Sequence, residues 1–123
     1  MSEVAEENAV DLATWRELTE KAAYMQGITL VWPSEPDLKP RDAKTRETYA
    51  PIDDDAQAFR LASQLIMHIE HLKNYKHVYN RVHVGIHGFG HVGAEVAYRY
   101  DRNKAMRLAI VHATAAMYDE QQR

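Results

Sequence analysis

Apolar residues recur along this chain with two periods, and the switches between them divide it into helices and strands. Leu12, Trp15, Leu18, Ala22 and Met25 fall near one helical face, with Arg16, Glu17, Glu20 and Lys21 largely opposite. Asn8 followed by Asp11 supplies a capping side chain and a carboxylate for the positive helix end, and Gly27 suits the C-cap. A first helix is therefore predicted over about residues 9–26. Ile28 to Trp32 is a short β-branched run ended by Pro33, which reads as a buried strand. From Pro33 to Ile52 the chain holds all four of its prolines and many charges, so an irregular connection of about 20 residues is expected.

Asp53, Asp54 and Asp55 then mark a second helix start, where one carboxylate caps free N–H groups and the others meet the helix dipole. Ala58, Phe59, Ala62, Leu65 and Ile66 follow at helical spacing. The segment IMHIEHL fits either period, and a strand from Ile66 is the reading adopted. In Arg81 to His87, Val82, Val84 and Ile86 point one way while Arg81, His83, Gly85 and His87 point the other, a half-buried strand. The turn GFGHVG leads into a second hairpin arm, in which Ala94, Val96, Tyr98 and Tyr100 alternate with Glu95, Ala97 and Arg99. Asp101 and Asn103 open a last helix with two apolar faces: Ala105, Leu108, Ala109, His112 and Ala116 form one, and Met106, Ile110, Ala113 and Met117 the other. Such a helix should pack against a sheet and a neighbouring helix together, and the terminal DEQQR is expected to fray. The predicted order is α-β-α-β-β-β-α: an α+β layered sandwich of three helices and about four mostly antiparallel strands in one domain.

The length of 123 residues suffices for a single core without staples. With no cysteine, disulfides, thiolate metal sites and cysteine nucleophiles are excluded. A formal charge of −3 of mixed sign is no footprint for duplex DNA. The acidic N-terminus and the lack of any apolar run near ~20 residues point away from export and the membrane, so the expected location is the cytoplasm.

Three blocks carry a family likeness. AAYMQGITLVW at the end of the first helix, YAPIDDDAQAFRLASQL and DRNKAMRLAIVHATAAM resemble small phage and prophage proteins of the phage ABA-sandwich type. Tyr49 and Pro51 match an aromatic-x-Pro pair of that pattern, Asp53 and Asp54 its acidic pair, and Ala58, Phe59, Arg60, Leu61 and Ala62 its helix core. The resemblance spans about half the chain. It implies a helix layer on each face of a sheet and transfers no catalytic residue. It also implies the setting of short accessory phage genes, which often encode inhibitors of host defence or host enzymes.

Four constellations bear on chemistry. Of seven histidines, His83, His87 and His91 recur every four residues, with His68, His71 and His77 nearby. On a strand, positions 83 and 87 lie about 13 Å apart at ~3.3 Å per residue. That is too far for one zinc, whose ligands sit at about 2.0–2.1 Å, so no metal is expected from them. Nor do three consecutive aspartates at a helix start converge on a cation as the spaced ligands of a calcium loop do. The glycines of GIHGFGHVG invite comparison with a phosphate-cradling loop, but a strand follows them where a helix N-terminus is needed, and a hairpin turn accounts for them. His112 on the apolar side of the last helix reads as a partly buried, hydrogen-bonded residue. Tyr75, Lys76, His77, Tyr79, Arg81, His83 and Arg99 together offer the aromatic and basic anchors that protein interfaces favour.

No spacing compels a nucleophile, an acid–base pair or a cofactor. The sequence thus favours a non-enzymatic phage accessory protein that binds and inhibits a host protein, such as an antiviral CRISPR effector, using Tyr75, His77, Tyr79, Arg81, His83 and Arg99. The alternative is a protein sequestering a small molecule or nucleotide through His83, His87, Gly88, Gly90 and His91. A metal-dependent hydrolase ranks third. Strand edges and the broadly apolar last helix also offer surfaces for a homodimer.

Overall fold

A computed structural model describes residues 7–35, 38–73 and 79–123. Helix α1 spans Leu12–Met25, and its N-cap is Asp11, whose carboxylate accepts from Thr14 N–H. Asn8 is not the cap. It takes a left-handed φ of 56° and its side-chain amide donates to Ala97 O, so its polarity ties the N-terminal segment to the far end of the chain. At the other end Gly27, with φ 71°, reverses the backbone while Gly27 N–H donates to Tyr24 O and Ile28 N–H to Ala23 O. These are the two bonds of a Schellman motif, and glycine enters that conformation without a Cβ penalty.

The expected buried strand over Ile28 to Trp32 shrinks to β1, Leu30–Val31, and Val31 is 55% exposed. It pairs antiparallel with β2, Arg41–Asp42, which lies inside the segment expected to be irregular. The described part of the connection thus contains a two-stranded ribbon. Asp42 Oδ1 accepts from Lys44 and Thr45 N–H to form a side-chain turn, and Tyr49 N–H donates to Pro40 O. Arg41 and Asp42 carry no apolar alternation, so backbone and side-chain hydrogen bonds define this element rather than burial.

Helix α2 spans Asp55–Gln64 and is capped by Asp54, which accepts from Gln57 N–H. Its buried stripe is Ala58, Leu61 and Ala62; Phe59, expected inside, is 54% exposed because it sits about 100° around the helix from Ala58. Ile66 is likewise exposed and adopts a φ of 53°, which ends the helix path and starts strand β3, Met67–Leu72, one residue later than expected. Strand β4 is Asn80–Ile86 and β5 is Phe89–Tyr98. The sheet order is β3-β4-β5, antiparallel throughout. The turn between β4 and β5 is only His87–Gly88, with Gly88 at φ 84°, so the rest of the expected turn GFGHVG belongs to β5 as a bulged strand.

Helix α3 spans Arg102–Gln121, is capped by Asp101 and runs three residues into the terminal segment 119–123 expected to fray, where Lys21 Nζ sits 2.7 Å from Asp119. It packs along β4 and β5 and carries α1 on its outer side, with α2 against α3 and β3. That double burial agrees with its two apolar faces: Ala105, Leu108, Ala109, Ile110, Val111 and Ala113 are all inside. The fold is α+β in class, with five strands in two sheets where the sequence predicts about four, in the order α-β-β-α-β-β-β-α. Both helix layers lie on the same side of the three-stranded sheet, where the phage-type resemblance implies one on each face. Val82, Val84 and Ile86 of β4 face α3 and are buried. Among the described residues no helix covers the opposite face of the sheet. None of the described helices is long and apolar enough to cross a membrane.

Candidate functional site

The uncovered sheet face is read directly from strand register. Successive residues of a strand point to opposite faces, so the partners of the buried valines' neighbours form rows on the open side. His68, Gly85 and Gly93 make one row; Glu70, His83 and Glu95 the next; Leu72, Arg81 and Ala97 a third. Tyr79 and Arg99 continue the same alternation beyond the last row. The Arg99 guanidinium carbon lies 5.6 Å from the Tyr79 ring centre and 5.5 Å from that of Tyr100. Both tyrosines are 50% exposed.

Charges on this face alternate in sign. Arg81 Nη1 donates to Glu95 Oε2 at 3.2 Å, His83 Nδ1 lies 3.9 Å from Glu95 Oε1, and His68 Nε2 lies 3.7 Å from Glu70 Oε1. Exposed pairs of this kind contribute about 0–1 kcal/mol each, so they exchange readily for equivalent pairs with a partner. Tyr79, Arg81, His83 and Arg99 of the predicted interface thus share one continuous surface. Tyr75 and His77 of the same set lie outside the described residues.

The predicted ligand group is divided. His83, Gly90 and His91 border one shallow concavity of about 380 Å³ together with Gly85, Gly93 and Glu95. His87 and Gly88 form the hairpin turn and do not line it. His91 turns towards α3, its Nε2 3.5 Å from Glu120 Oε1. Among the described residues no three histidines or carboxylates come together in a way that would hold a metal ion. His112, expected to be partly buried and hydrogen-bonded, is instead exposed beside Asn8 at β5 and makes no hydrogen bond among the described residues, because it stands between the two buried faces of α3. The surrounding protein still desolvates its imidazole enough to hold it below the usual histidine range.

The aspartate run divides its duties. Asp54 caps α2, Asp55 accepts from Arg107 Nη1 at 2.7 Å, and Asp53 accepts from Trp15 Nε1 at 3.2 Å while lying 3.2 Å from Lys39 Nζ. Near the chain start, burial alone would raise the Glu7 carboxyl. The N–H groups of Asp101, Arg99 and Tyr100 outweigh it and hold the group below the usual range, which straps residue 7 to the β5–α3 corner.

One surface feature was not legible from periodicity. The two tryptophans, Trp15 of α1 and Trp32 after β1, meet edge to face with ring centres 6.4 Å apart, and the Arg16 guanidinium carbon sits 4.4 Å from the Trp32 ring centre. With Leu12 and Leu38 they border a largely apolar groove of about 250 Å³. Trp15 counts towards the inner face of α1 by spacing, so only the concentration of both tryptophans near the exposed Leu12 would have pointed here. Compared with protein-family models, with curated proteins and with solved structures, the chain matches none.

Proposed function

We propose that this chain is a non-catalytic binding protein of the phage accessory kind, which docks onto a host protein through the uncovered face of its three-stranded sheet and inhibits it. The observation that carries the proposal is the Tyr79–Arg99–Tyr100 cluster standing at the end of an open face already furnished with exchangeable ion pairs. Tyr and Arg dominate interface hot spots because they bury large areas while offering directed donors. Binding suits this face better than catalysis. His83 is half-exposed and its neighbouring carboxylates face solvent, whereas acid–base chemistry gains its strength in a water-excluded pocket. The likeness of three sequence blocks to small phage proteins directs the search to host proteins, antiviral systems such as CRISPR effectors among them.

Affinity capture from host lysate tests the proposal. The wild-type chain should retain one partner in stoichiometric amount, the double substitution Tyr79→Ala with Arg99→Glu should lose it, and Phe59→Ser, an exposed change on α2, should keep it. Recovery of no partner, or equal recovery by all three chains, contradicts the proposal. A second reading, sequestration of a small molecule or nucleotide, rests on the concavity over Gly85 and Gly93. Glu95 on its wall repels phosphate, which sets this reading behind the first.

A further inference from the structure

A concavity lies where the ribbon, α2 and the end of α1 meet, and none of the residues that form the rows of the open sheet face border it. It holds about 180 Å³. At ~30 Å³ per water that is room for about six waters, hence for a ligand of about six non-hydrogen atoms. The walls differ in charge. Helix α2 contributes Arg60, the turn after β2 contributes Asp42 and Glu47, and Ile28 adds an apolar patch. Among the described residues neither the Arg60 guanidinium nor the Glu47 carboxylate makes a hydrogen bond or an ion pair. The two opposite charges thus border one hollow without neutralising each other.

The remaining lining groups are fixed by internal bonds. Tyr49 Oη donates to Gln26 Oε1, and Gln26 Nε2 in turn donates to Gln64 Oε1. Gln57 holds both sides of the adjoining backbone, accepting from Ala50 N–H and donating to Thr48 O at 2.7 Å each. Asp42 is oriented by the two N–H groups of its own turn. The frame of the hollow is thus braced, while the exposed Arg60 and Glu47 side chains at its border are left to close on a ligand that supplies both counter-charges.

We infer that this hollow binds a small zwitterion, specifically a free α-amino acid, with its carboxylate on Arg60 and its ammonium on Glu47 and Asp42. A guanidinium presents two parallel donors to a carboxylate, and an ammonium group donates up to three bonds, which the carboxylates and the Thr45 and Thr48 hydroxyls accept. Ile28 offers contact for a short aliphatic side chain, while the open mouth admits longer ones. The Tyr49 hydroxyl is engaged with Gln26, and burial, then the negative field of Asp42, push it above its usual range, so the ammonium side is left to the carboxylates.

Isothermal titration of the full chain with each common L-amino acid, and with its N-acetyl and carboxamide derivatives, tests the inference. At least one small L-amino acid should bind saturably. Each derivative lacks one of the two charges and should bind at least about tenfold more weakly, the scale of a lost charge-assisted bond. Arg60→Gln, an exposed change on α2, should weaken the amino acid by a similar factor while leaving the circular dichroism spectrum and the unfolding midpoint unaltered. The inference is overturned if no amino acid binds at millimolar concentration, if a derivative binds as tightly as the parent, or if Arg60→Gln binds it unchanged. The hollow lies apart from the sheet face, so either outcome leaves the protein-docking proposal to its own test.

Discussion

Replacing Ile110 by alanine is expected to lower the stability of the folded chain by about 2–5 kcal/mol, the cost of removing buried methylenes and leaving a partly relaxed cavity. Ile110 is fully buried near the middle of α3, the helix that contacts the sheet on one side and α1 on the other. A cavity there loosens two packing interfaces at once. Against a total of about 5–15 kcal/mol for an ordinary domain, this is a large fraction. Urea unfolding followed by circular dichroism measures it, as a lower midpoint with an unaltered slope. A loss under about 1 kcal/mol would mean that α3 is not the shared central layer described here.

The second large effect concerns Gly93. Its backbone torsion is not left-handed, so its lack of a side chain answers to space rather than to conformation. A Cβ built at this position would lie 2.6 Å from Val84 O and 3.5 Å from Gly85 Cα. Both are backbone atoms of the paired strand and neither moves without disturbing the register. Gly93→Ala is therefore expected to cost about 1–3 kcal/mol or more, the range for forcing extra volume into a packed site. Gly90, three residues earlier in the same bulged strand, has open space where a Cβ would stand. Gly90→Ala is the control and should stay within about 0.5 kcal/mol of wild type. Equal stability of the two variants, measured in the same urea series, would contradict the close approach of β4 and β5.

How far these features were legible in the sequence depended on what formed each element. Strands β4 and β5 and the two-faced helix α3 announce themselves because burial selects their side chains, and burial leaves a period of 2 or 3.6. Strand β2 leaves none. Arg41 and Asp42 pair through backbone bonds at the surface, so their side chains were free to be charged. Phe59 and Ile66 illustrate the opposite error, since apolar residues beside a buried stripe need not join it: both stand exposed at the margin of α2. The open sheet face was visible as one half of an alternation, but its rows needed the register, which only pairing fixes. The hollow at Arg60, Asp42 and Glu47 was out of reach for a related reason. Its charges come from separate elements, the ribbon turn and a helix, and no local spacing connects them.

The division of labour between faces also limits which surfaces compete as docking sites. The sheet face has ion pairs and the Tyr79–Arg99–Tyr100 cluster, while the groove at Trp15 and Trp32 joins aromatic rings to Leu12 and Leu38 on another side of the molecule. Hydroxyl-radical footprinting of the chain, alone and in complex with the host protein that it captures, separates them residue by residue. Docking through the sheet predicts that Tyr79 and Tyr100 lose their reactivity in the complex while Trp15 and Trp32 keep theirs. Protection of the two tryptophans with the two tyrosines unchanged would contradict it.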